Sequence, residues 1–137
     1  MSTLHLTALK AGLDAVLALG TPKLSFMATT FTPDAGTDQY FSDISAEVAS
    51  GTTAVTLASV TTTLDTGNAR VELDTADPSL STVTATTNKY AIWVDTGVAA
   101  TSPVLATIDI VEGTLSPVSG TLGITVNAEG HFALTAV

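Results

Sequence analysis

Lys89 to Asp95 reads KYAIWVD, and the reading of this heptapeptide decides the fold. Its residues alternate with a period of two: Tyr90, Ile92 and Val94 fall on one side, Ala91 and Trp93 on the other. Both sides are apolar. A strand with one wet face would alternate apolar with polar, so KYAIWVD predicts a central strand covered on both faces. Thr96 to Ser102 follows as a loop. Val104 to Val111 (VLATIDIV) then returns as a second strand, the antiparallel partner of the first across a long hairpin loop.

Strand text continues outward in both directions. Upstream, Leu24, Phe26 and Ala28 alternate with Ser25, Met27 and Thr29 from Lys23 onward. Thr32 to Gly36 (TPDAG) is turn chemistry, and Asp38 to Ser45 (DQYFSDIS) reads as a surface loop with anchored aromatics. Val48 marks a short strand. Thr53 to Val60 (TAVTLASV) reads as a strand joined through a hairpin turn at Asp65 to Asn68 (DTGN) to Arg70 to Asp74 (RVELD). There Val71 and Leu73 share a face opposite Glu72, and Asp77-Pro78 ends the run. Downstream, Gly113 to Gly120 holds turn residues, and Leu122, Ile124 and Val126 alternate with Gly123 and Thr125. Asn127 to Gly130 (NAEG) turns the chain into a last strand carrying Phe132, Leu134 and Ala136. Short strands at a spacing of roughly 8–12 residues predict an all-β class. The expected architecture is an antiparallel β-sandwich, Ig-like or barrel-like.

One helix precedes the strands. Leu6, Leu9, Leu13, Val16 and Leu17 follow three-and-four spacing and share a face. Ser2 or Thr7 is the candidate N-cap, Gly20 the candidate C′ residue, and Pro22 prevents continuation. The polar face is thin, mostly Thr7, Lys10 and Asp14. The apolar face therefore either packs on the domain core or docks on a partner subunit. With no repeat and no linker, residues 1–137 read as one domain, helix about 4–19 and β domain about 23–137.

Composition narrows the function. The chain is 45% hydrophobic but only 12% charged, against about 25% charged in ordinary domains. Its net charge of −9 offers no basic surface to nucleic acid or an anionic membrane. Its richness in Val, Ile and Leu argues against disorder. Its 26 threonines keep strand faces wettable without charge. There is no Cys, which excludes thiol chemistry and thiolate metal sites. Leu4 to Leu19 lacks a basic flank and is broken by Lys10 and Asp14, so it does not read as a secretory signal.

Candidate sites read mostly as structure. Asp34, Asp38 and Asp43 cluster, but without the spacing of a calcium loop, and are expected to bond local turns. Asp74 and Asp77 flank a turn. Tyr40, Phe41 and Trp93 are either core aromatics or a sugar-stacking platform. His5 and His131 lie at opposite ends of the chain, outside any recognisable motif. The glycines between Gly113 and Gly123 lack a phosphate-loop pattern. The expectation is a non-enzymatic chain with no cofactor and no metal.

The order of several segments carries more. FTPDAGTDQYFSDIS (Phe31 to Ser45) is followed by VASGT (Val48 to Thr52) and DTGNARVELDTADPS (Asp65 to Ser79). KYAIWVDTGVAATSPVLATIDI (Lys89 to Ile110) and ITVNAEGHFALT (Ile124 to Thr135) complete the series. This order resembles a family of small virion structural proteins of tailed bacteriophages. DTGVAATSP (Asp95 to Pro103) is the most specific part of the likeness. The family carries more charge and more aromatics in the first helix and loop, and a longer middle region.

The resemblance implies a decoration or minor capsid protein. Such a chain binds the phage major capsid protein, stabilises the shell as a homo-oligomer, a trimer by expectation, and involves no nucleic acid or membrane. It implies a capsid-surface location in the virion after synthesis in the host cytoplasm. The rival readings are a tail-associated structural protein and a carbohydrate-binding β module. The expected partner interface comprises Leu6, Leu9, Leu13 and Val16 of the helix, with Asp95, Thr96, Gly97, Thr101 and Pro103 of the loop.

Overall fold

A computed structural model describes residues 5–135. In chain order its elements are α1 (Leu6–Leu17), β1 (Thr21–Met27), α2 (Phe41–Ile44), β2 (Val55–Thr56), β3 (Thr61–Asp65) and β4 (Arg70–Asp74). Then come β5 (Ser79–Val83), β6 (Lys89–Asp95), β7 (Val104–Asp109), β8 (Gly120–Gly123) and β9 (Phe132–Thr135). The strands form antiparallel sheets in the orders β2-β1-β6-β7, β3-β4-β9 and β5-β8. The chain is an all-β, sandwich-like fold with an N-terminal helix and one further short helix.

KYAIWVD runs through the middle. Every residue from Lys89 to Val94 is buried, because β6 lies between β1 and β7 with both faces covered. The register pairs Leu24 with Ile92 and Phe26 with Tyr90, which puts all four on one face. They join Val71, Leu73, Leu122 and Leu13 in the main core. On the opposite face Ala91 packs with Met27, Phe31 and Ile44 in a second, smaller core. That face is capped by the 28–48 segment, whose α2 lays Phe41 flat on Trp93 at 3.8 Å between centroids and 6° between planes. Each fully buried large side chain contributes about 1.5–3 kcal/mol.

The hairpin of β6 and β7 forms as expected, with a register irregularity between Ile92 and Trp93. β7 ends at Asp109, short of the expected Val111, which is almost fully exposed. The expected strand over Thr53 to Val60 is corrected: only Val55–Thr56 pairs, on the edge of β1. Leu57 is buried in the core instead, its backbone N–H donating a hydrogen bond to the Pro22 carbonyl at 3.0 Å. The hairpin partner of β4 is β3, because the turn sets Asp65 opposite Arg70 and the pairing zips outward from there. Asp65 braces that turn by accepting from the Asn68 amide at 3.1 Å and side chain at 2.7 Å.

β5 (SLSTV) was not foreseen. Its ladder to β8 shifts between Leu80 and Val83, where Thr82 takes φ 56. The expected strand through Ile124 and Val126 stops at Gly123, and the two residues then bond Pro78 O and the Asp77 carboxylate. β9 pairs with β4, Val71 opposite Leu134 and Leu73 opposite Phe132.

The helix cap is also corrected. His5 is the N-cap residue and makes no side-chain cap bond, so Thr7 sits inside the helix. The helix closes at Ala18, and Gly20 serves a different need: a Cβ there would lie 2.0 Å from the Asp95 carbonyl. Ser2, Leu4 and Ala136 lie outside the described residues.

Candidate functional site

The loop between β6 and β7 is held from within. Asp95 accepts from the Gly97 amide at 2.8 Å and pairs with Lys23 at 2.8 Å, and these two contacts, Lys23 first, hold its carboxyl below the usual range. Buried Ser102 accepts from the Thr96 amide at 3.0 Å and donates to the Val98 carbonyl at 2.9 Å. Thr96 and Thr101 join hydroxyls at 2.7 Å. The backbone is tied down at both ends, Val94 N–H to Pro103 O at 3.0 Å and Phe41 N–H to Ser102 O at 2.8 Å. A 3₁₀ turn at Ala99–Thr101 completes it. What the loop leaves outward is apolar: Val98 is 58% exposed, and Ala99 and Ala100 are exposed beside it. The hydroxyls of Thr96, Thr101 and Ser102 are spent on the loop itself, so its outward chemistry is a small rigid apolar knuckle.

The other expected interface residues lie on α1. Leu13 is buried in the main core, and Leu6 and Leu9 pack against it. Asp14 fixes the helix to the sheet by accepting from the Thr62 hydroxyl and pairing with Lys10 at 2.7 Å. Leu9, Leu13 and Val16 also line a groove of about 310 Å³ with Leu105, Phe132 and Leu134. No residue of the Asp95–Pro103 loop lines that groove. The helix and loop residues are thus two separate features.

Sequence reasoning missed the setting of His131. Its Nε2 lies 2.8 Å from Thr75 Oγ1 and its Nδ1 3.1 Å from the Tyr90 hydroxyl. The Thr75 hydroxyl donates to Ala76 O at 2.8 Å, so Nε2–H donates to Thr75 and Nδ1 accepts from Tyr90. This is a neutral imidazole with both nitrogens engaged. Burial pushes its pKa down against the pull of Asp74 and Asp77, and burial pushes Tyr90 up to about 12. The arrangement latches the start of β9 to β6 and to the end of β4. Its partners stand 41 and 56 residues away in sequence, so no local pattern announces it.

The remaining candidates resolve into structure. Asp34 accepts from the Gly36 amide and Asp38 from the Asp34 amide, both at 2.7 Å. Asp43 accepts from the Tyr40 amide at 2.8 Å and the Gln39 amide at 3.1 Å. These carboxylates are turn braces. Trp93 is only 4% exposed and its face is taken by Phe41, so it is a core aromatic, whereas Tyr40 stays 45% exposed. Asp77 does more than brace a turn: it holds the Val126 amide at 2.9 Å, across 49 residues. Among the described residues no cluster of His, Asp and Glu is arranged to hold a metal ion. Among them no helix is long and apolar enough to cross a membrane. Comparison of the chain with protein-family models, curated proteins and solved structures finds no match.

Proposed function

We propose that this chain is a non-enzymatic structural protein of a tailed-phage virion, a decoration or minor capsid protein that binds the major capsid protein lattice. The observation that carries the reading is the Asp95–Pro103 loop. It is the segment most like the phage family, and it is a pre-braced apolar knuckle at Val98, Ala99 and Ala100. A loop already fixed by its own hydrogen bonds loses little conformational freedom on docking. One such contact is weak. Repeated around a lattice axis by an oligomer, a trimer in this reading, it gains by effective concentration. The Thr-rich, charge-poor surface suits packing against neighbouring subunits, and the net charge of −9 keeps the free chain soluble. The chain would reach the capsid surface after synthesis in the host cytoplasm.

The test mixes the purified chain with heads of its own phage assembled without it. Saturable binding at a fixed ratio to major capsid subunits is the expected result. Val98→Asp is expected to lower occupancy at least tenfold. Heads that bind nothing saturably overturn the reading, and label that collects on tails replaces it with the tail-associated one.

A further inference from the structure

We draw no further inference here: the strongest candidate, the cavity of about 430 Å³ beside Tyr90 and His131 between the end of β7 and residues 124–130, carries none, because the tyrosine and histidine side chains are spent on each other and on Thr75 and nothing in the structure shows what covers the rest of its wall.

Discussion

The two faces of β6's sheet contrast sharply. On the closed face, Met27, Phe31, Ile44 and Ala91 are sealed beneath the 28–48 segment, and Trp93 lies under Phe41 with its indole N–H on buried Ser25 at 3.0 Å. Thr87, fully buried, ties two elements there by donating to Met27 O at 2.7 Å within reach of Lys89 O. On the other face, along the seam where β7 and β9 end their sheets, the main core ends in partly buried Leu105, Ile108, Phe132 and Leu134. One side spends its apolar surface internally. The other holds it in reserve.

The contrast is broken most severely from inside. Phe26→Ala removes a fully buried ring shared by β1 and the main core, and is expected to cost about 3–5 kcal/mol in denaturant melts. Leu105→Ala at the seam is expected to cost less, about 1–2 kcal/mol, since part of that side chain already faces water. Equal losses at the two sites would erase the distinction between a closed face and an open one.

Gly130→Ala comes between those values. Gly130 takes φ +82, and an added Cβ would stand 2.0 Å from the Leu73 carbonyl, which is backbone and cannot step aside. The expected loss is at least about 2 kcal/mol, with β9 amides exchanging faster while β6 amides keep their protection. Loss of protection throughout the chain would show that the seam and the closed face melt as one unit.

How much of this was legible follows the range of each interaction. KYAIWVD announced a doubly covered strand because its period and both of its faces lie within seven residues. The DTGN turn and the amphipathic helix were legible for the same reason. β5 was not, because SLSTV has too little apolar contrast to stand out and is held by pairing with a strand some 40 residues on. TAVTLASV looked like a strand and is mostly an irregular bridge, since the turn at Asp65 fixed the register to TTTLD instead. The expected helix interface mixed two roles on one face: Leu13 went to the core while Leu9 and Val16 line the groove. The seam itself has no sequence signature, being a property of which strands end up at sheet edges.

Acid sharpens the comparison further. Burial holds the folded-state pKa of His131 below its ordinary 6.5, so the folded chain binds that proton less readily than the unfolded one. The contribution is full above about pH 6.5 and is lost as pH falls through the folded-state value. Asp14, Asp65 and Asp95 are lowered from 3.8, so their contributions are present above that value and are lost as pH falls below it. Stability measured from pH 7 to 4.5 is therefore expected to decline gently in the parent chain and to stay flat in His131→Gln. Amide exchange at β9 is expected to quicken first, because His131 latches that strand to Tyr90 and Thr75. An unchanged slope in His131→Gln would remove the latch.

The smallest effect on stability is expected where the chain meets its proposed partner. Val98 is more than half exposed and makes no core contact, so Val98→Asp is expected to shift stability by no more than about 0.5 kcal/mol. The loop's bracing uses the Val98 carbonyl and not its side chain, so the hydrogen bonds from Thr101 and Ser102 survive the change. A carboxylate at the tip of the knuckle would nevertheless have to be desolvated on docking, with no Lys or Arg in the loop and Lys23 of β1 already committed to Asp95. Unfolding and binding thus come apart at this position: a stable Val98→Asp chain that still coats heads at parental occupancy would take the loop out of the interface.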